Sequence, residues 1–444
     1  MPTIRVNFQN QTGRRIRPLH GVNSGPLTKV FTYDARPLFR EGGFPFARLH
    51  DVEYPYGSGE FVDIPCIFRD FHADETREEN YNFGLTDEYL KACVEVGCEP
   101  LFRLGVSIEH APVKRHVFPP QDFGKWARIC EHIIRHYTQG WANGFHWNIR
   151  YWEIWNEADS AASGADNMWC GTPEEFYEFY CVSATYLKQK FPHLKIGGCG
   201  YTSGVNPFIE DFFRYLTAKP YRVPLDFYSW HSYTTDVSTV VDMSRRVACM
   251  LESFGYGDAE SVFDEWNYMR DWKDQAESYV LLKNHVGAAF CGAMLCAMQN
   301  HTNIAEANYF EADVVKEWCG IFTVDRMSIG ARKAVLAPLK PFYAFRAFHT
   351  LYQMGREVAV EGEEPGLYAT AAVGEGKAGL LIANYGKGKT SAKLLLSGLP
   401  GPVEVRVVDA ERTFERVMTL SPTAGELCAT MELGENTLLY LGSA

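Results

Sequence analysis

The sequence predicts an α/β fold, a (β/α)8 TIM barrel followed by a C-terminal all-β sandwich domain, on three observations. Short apolar strands alternate with amphipathic helices eight times over about 300 residues. Polar residues collect at the C-terminal ends of many of those strands. Beyond about residue 350 the helical periodicity stops, and short apolar runs broken by Gly, Pro, Asp and Asn take over. The polar strand ends favour a barrel, in which they share one face, over an open doubly wound sheet, which would gather them at one switch point. The Gly-rich phosphate turn of such a switch point is also incomplete: Gly198-Cys199-Gly200 is followed by Ser203 where a third glycine is required.

In chain order, residues 3–9 alternate like a strand but stand outside the eightfold rhythm, so the segment 1–13 is expected to pair with the C-terminal module. The eight barrel strands are expected at 16–23, 44–51, 99–105, 151–157, 195–200, 225–233, 260–267 and 304–310. Between strands four and five, Thr172-Pro173-Glu174-Glu175 supplies a capping Thr, a Pro at the first helical position and a Glu three residues after the cap. Thr86-Asp87 is expected to open a helix that Gly97 closes. The apolar run 285–298 is too short to span a bilayer and reads as a buried helix. The domains are therefore placed at 14–350 for the barrel and 351–444 with strand 1–13 for the sandwich.

Composition narrows the partners. A formal charge of −12 argues against nucleic acid and anionic membranes, both of which need a basic face, and suits a neutral ligand better. The N-terminus lacks a basic head followed by an apolar run, and the twelve cysteines are scattered without a C-x-x-C pair. A cytoplasmic protein with reduced thiols is the expectation. There is no G-x-S-x-G elbow, P-loop, H-E-x-x-H or EF-hand loop, and His110 and His116 do not make a metal pattern. No metal or cofactor is expected.

Two strands carry the chemistry. Tyr151-Trp152-Glu153-Ile154-Trp155-Asn156-Glu157 and Ser261-Val262-Phe263-Asp264-Glu265-Trp266-Asn267 are apolar stretches whose ends present carboxylates. An unpaired buried charge costs several kcal/mol, so such groups are paired, protonated or kept for chemistry. Two carboxylates on two strand ends are the minimum equipment for cutting a glycosidic bond. Regular alternation would turn Asn156 and Glu157 to opposite faces, so both can serve one site only if the strand end bulges. His231 and Tyr233, two residues apart, share a face of strand six. Arg103 is a charge inside a strand and must be paired: it is expected to orient Glu265 or Asn156, with a structural bridge as the alternative. Glu153 is expected in a buried structural pair.

The stretch 152–157 resembles the Asn-Glu motif of the retaining glycoside hydrolases of clan A. Its context resembles family 39 of those enzymes, which holds β-xylosidases and α-L-iduronidases. The matching stretches include Arg48-Leu49-His50-Asp51, Asp226-Phe227-Tyr228-Ser229-Trp230-His231-Ser232-Tyr233, Asp264-Glu265-Trp266-Asn267 and Lys340-Pro341-Phe342-Tyr343-Ala344. The resemblance implies Glu157 as general acid/base and Glu265 as nucleophile, with carboxyls about 5–5.5 Å apart. It further implies that Asn156 binds the sugar 2-hydroxyl, that Tyr233 holds the nucleophile, and that His231 and His50 wall the sugar subsite.

The family usually carries a Trp near the end of strand eight. This chain reads Ala307-Asn308-Tyr309-Phe310-Glu311 there, so Tyr309 or Phe310 is expected to supply the stacking ring and Glu311 to face a hydroxyl. Trp266 is expected as a further sugar contact. The implied activity is retaining, exo-acting hydrolysis of short oligosaccharides or glycosides by double displacement, with β-xylosides first. Arabinosides, galactosides, glucosides and uronic sugars are alternatives, as is a glycan-binding barrel without turnover.

Overall fold

The computed structural model describes residues 1–29, 33–52, 60–109, 113–160, 167–314, 318–328 and 333–443; His110 lies outside these. Eight parallel strands close a barrel in sequence order: Gly21–Asn23, Phe46–Arg48, Glu99–Leu104, Tyr151–Ile154, Lys195–Tyr201, Phe227–Tyr233, Glu260–Asn267 and Ile304–Tyr309. Near the strand starts, Phe46, Tyr151 and Phe227 from strands two, four and six meet Leu101 and Val262, from strands three and seven, in one buried cluster. Side chains from alternate strands filling one level are the packing that closes such a barrel.

Local chemistry explains several helix limits. The helix Pro173–Lys190 opens on the expected capping box, Thr172 and Glu175 each bonding the other's backbone N–H. The helix Gly84–Glu95 differs from expectation: Thr86 is buried inside its first turn and donates to Phe61 O (2.9 Å) instead of capping. Gly97 does close that end in the left-handed conformation (φ +78°).

The C-terminal module is a separate nine-stranded sheet. The N-terminal strand Thr3–Arg15 joins it, antiparallel to Arg356–Glu361 and parallel to Thr390–Ser397. Alternation along Lys377–Asn384 shows how the sheet serves two cores. Leu380 and Ile382 enter the module's own core with Ile4, Leu394 and Val405. Leu381 and Ala383 pack instead into the barrel's core. The buried helix His285–His301 lies at this contact, where Gly292 allows a close approach: a Cβ would stand 2.2 Å from Leu438 Cδ1. All twelve cysteines are free thiols. Among the described residues no helix is long and apolar enough to cross a membrane.

Candidate active site

Strand four stops being regular at Ile154. Trp155 and Glu157 adopt left-handed backbone angles (φ 72° and 47°), the break in alternation that Asn156 and Glu157 need to reach one cavity. Ser24 and Asp51, at the ends of strands one and two, are also left-handed (φ 63° and 51°). Each such residue costs on the order of 1–3 kcal/mol and persists where the surroundings over-determine it. Here the surroundings are tight: the Glu157 N–H donates to Gly200 O (2.9 Å), and the Trp155 indole N–H donates to Met168 O (2.9 Å). Gly200 is also left-handed (φ +53°), and a Cβ there would press on the floor of the site, 2.7 Å from Arg48 Nη2 and 3.0 Å from Asn156 Oδ1.

Glu157 and Glu265 converge on His231. The imidazole Nδ1 is 2.8 Å from Glu157 Oε1 and 3.7 Å from Glu265 Oε2, and one ligand atom of each of the three side chains lies within 4.8 Å of the others. Glu265 accepts from Arg48 Nη1 (3.0 Å) and from the Tyr233 hydroxyl. Arg48 is wholly buried and ties the floor together. Its Nε lies 2.8 Å from Glu153 Oε2 and 3.0 Å from Asp264 Oδ2, while its Nη2 donates to Asn156 Oδ1 (2.6 Å).

Three buried acids around one guanidinium cannot all carry charge in a dry site. Burial works against the Glu153 charge, but Arg48 and the Ser229 hydroxyl hold that carboxyl below its usual range. Burial pushes Asp264 well above it. Burial also raises Glu265, opposed by His231, Arg48 and the Tyr233 hydrogen bond. It pushes His231 down to about 4, so the ring is neutral at pH 7. Among the described residues Glu157, His231 and Glu265 are the set whose donor atoms could close on a cation. Arg48, 3.0 Å from Glu265, already supplies positive charge there. Two carboxyls at this spacing, one held by two donors, can divide nucleophilic and acid/base work between them.

Three expected contacts are corrected. Arg103 reaches neither Glu265 nor Asn156: its Nη2 donates to Asp63 Oδ1 (2.5 Å) and to Ser107 Oγ (3.2 Å), a structural bridge to the loop ahead of helix Ile64–Ile67. Strand seven is irregular here, with Asp264 and Glu265 both reaching Arg48, and Trp266 turns outward, where it packs on Tyr309 (5.0 Å) and Phe345 (6.1 Å). Tyr309 shares that outer layer, 5.2 Å from Phe345, and is fully buried. His50 and Glu311 stay at the strand ends, both buried; His50 Nε2 is 3.4 Å from Asp51, and Glu311 accepts from Ser24 Oγ (2.9 Å).

Sequence reasoning missed Arg48 as the organising cation, although the rule applied to Arg103 applies equally to it. It also missed two rings of the aromatic rim, Trp318 and Trp272. Phe310 stacks on Trp318 (5.7 Å), and Trp318 and Trp272 flank Tyr233 (6.2 and 4.9 Å).

The sequence model for Glycosyl hydrolases family 39 matches residues 40–310 of this chain. The chain belongs to family 39. Two curated relatives of this family 39 chain are β-xylosidases. That of Geobacillus stearothermophilus is 28% identical over 193 residues, 41% of this chain and 36% of the relative. That of Caldicellulosiruptor saccharolyticus is 26% identical over 181 residues, 38% and 35%. The matched stretch thus spans about a third of the relatives' length. Among solved structures, a glucosidase from Croceicoccus marinus superposes with TM-score 0.80 at 21% identity, covering 100% of this chain and 98% of its own. A β-xylosidase from Caulobacter crescentus CB15 gives 0.70 at 14%, covering 100% and 99%. These likenesses establish a shared fold.

Proposed function

We propose that this family 39 chain is a retaining, exo-acting glycoside hydrolase in which Glu265 is the nucleophile and Glu157 the general acid/base. The observation that carries the reading is the spacing: oxygens of the two carboxyls approach within 4.8 Å. Retaining enzymes need about 5–5.5 Å between carboxyl groups, whereas inverting ones need about 6.5–9.5 Å to admit a water. Glu265 attacks the anomeric carbon as Glu157 protonates the departing oxygen. The covalent glycosyl-enzyme is then hydrolysed by water whose proton returns to Glu157.

The division of roles follows the surroundings. Two donors, Arg48 and Tyr233, stabilise a carboxylate at Glu265. Glu157 is the more exposed side chain, 16% against 8%, which suits a group that exchanges protons with water. The buried Asn156 Nδ2 has no protein partner among the described residues while its Oδ1 is fixed by Arg48, which fits a donor reserved for the sugar 2-hydroxyl.

β-Xylosides are the leading substrates in this reading, supported by the names of the two curated relatives. β-Glucosides are the second reading, supported by the glucosidase superposition. Free thiols throughout favour a reducing, cytoplasmic setting and hence short oligosaccharides or glycosides as substrates. The test is an aryl glycoside panel (xyloside, glucoside, arabinoside, galactoside, glucuronide) with wild type, Glu157→Gln and Glu265→Gln. Glu157→Gln is expected to keep a glycosylation burst on substrates with good leaving groups, and Glu265→Gln to lose it. Equal, mild losses in both variants would overturn the assignment.

A further inference from the structure

One exposed aromatic ring near the site has no role in the reaction described so far. Trp272, in the loop after strand seven, is 50% exposed, while the residues around the carboxylates are buried: Asn156, His50, Glu311 and Phe310 range from 0 to 5%. A singly exposed Trp needs no special explanation. Trp272, however, continues an unbroken aromatic path from the nucleophile's partner. The Tyr233 hydroxyl donates to Glu265, the Tyr233 ring meets Trp272 edge-on at 4.9 Å, and Trp272 meets Trp318 at 6.0 Å.

The loop is also held in place. The Gln275 side-chain amide donates to Trp272 O (2.9 Å), Lys273 N–H donates to Asp271 Oδ1 (2.8 Å), and Arg270 N–H donates to Ser278 Oγ (3.0 Å). An indole that leaves half its surface in water on a pinned loop offers a preorganised flat face at little ordering cost.

We propose that Trp272 forms the leaving-group subsite, its exposed face stacking on the ring that departs when the glycosidic bond breaks. The inference rests on the exo-glycosidase reading. In an exo-acting pocket the terminal sugar fills the buried end and the remainder of the substrate projects to the mouth. Buried Asn156 and Phe310 belong to the first position and half-exposed Trp272, one ring outward from Tyr233, to the second. Flat apolar sugar faces and aryl groups both stack on indole, so the subsite accepts either.

The experiment compares kcat/KM of wild type, Trp272→Ala and Trp272→Phe on β-xylosyl fluoride, whose leaving group has no ring, with β-1,4-xylobiose and 4-nitrophenyl β-xyloside. β-Glucosyl fluoride and cellobiose are run in parallel. Trp272→Ala is expected to lose at least about 10-fold more on the disaccharide than on the fluoride of the same sugar, and Trp272→Phe to recover much of that difference. Equal losses on fluoride and disaccharide, or no loss on either, overturn the subsite while leaving the hydrolase reading intact. Failure of wild type to turn over any of the five compounds removes the xyloside and glucoside readings and the subsite with them.

Discussion

The two ends of the barrel handle charge in different ways. At the C-terminal end a fully buried guanidinium, Arg48, is ringed by Glu153, Asp264 and Glu265, and the backbone around it is left-handed at Ser24, Asp51, Trp155 and Glu157. At the N-terminal end the interior is plugged by the apolar cluster of Phe46, Leu101, Tyr151, Phe227 and Val262. Charges there sit on the rim as partly exposed pairs, such as Arg150 with Glu99 and Lys195 with Glu260. A buried acid, Glu306, is bonded at that end by Asn308 Nδ2 (3.0 Å), and burial pushes its carboxyl up to about 8. Both ends raise a buried acid, Asp264 at one and Glu306 at the other, but only the first sets a fully buried guanidinium against it. The difference teaches where this fold tolerates strain and dry charge: at the face where polar strand ends converge on Glu157 and Glu265.

The largest expected effect comes from removing the cation at the first end. Arg48→Met strands three acids in a dry cavity, and breaking a buried ion pair costs roughly 3–5 kcal/mol. Urea unfolding at pH 7 is expected to show that loss, together with collapse of glycosidase activity. A next effect, of the other sign, belongs to the opposite end. Glu306 binds its proton up to about pH 8 when folded, whereas an unfolded Glu titrates near 4.3. Between those values the folded chain keeps a proton that the unfolded chain has released, so stability declines as pH rises, by about 1.4 kcal/mol per unit, and levels off above.

Glu306→Gln is therefore expected to match wild type near pH 4.5 and to be more stable than it at pH 8, read by urea midpoints across that range. His231 works in the reverse direction: its ring, pushed down to about 4 by burial, resists a proton that an unfolded His takes up below about 6.5. Its contribution is lost as pH falls through that window. The smallest effect is at the rim, where Arg150→Met removes a pair whose Arg is 46% exposed and is expected to cost less than about 1 kcal/mol. If Arg150→Met and Arg48→Met cost the same, or if Glu306→Gln shows no gain at pH 8, the contrast between the two ends fails.

Much of this arrangement is legible in the sequence, and the exceptions have physical reasons. Eight strands, the Thr172 capping box and the two carboxylates at strand ends are local patterns, set by periodicity of 2 and 3.6 and by turn residues. The bulge at Trp155 and Glu157 follows from requiring Asn156 and Glu157 to share a site. Trp266 could not be placed by alternation alone, because strand seven breaks register between Val262 and Glu265 and brings both Asp264 and Glu265 to Arg48. Arg103 is different in kind. A charge within a strand announces that it has a partner but not which one, and Asp63, 40 residues earlier, is brought to it by the path of a loop. Trp272 and Trp318 lie in loops without periodicity, so nothing local marks them as neighbours of Tyr233.

The central claim is that Glu265 forms a covalent bond to the sugar while Glu157 moves the proton. Incubation with 2-deoxy-2-fluoro-β-xylosyl fluoride and its glucosyl counterpart, followed by proteolysis and mass spectrometry, tests it directly. The account predicts one fluoroglycosyl adduct on the peptide that contains Glu265. An adduct on Glu157, or turnover with inverted anomeric configuration and no adduct at all, contradicts it.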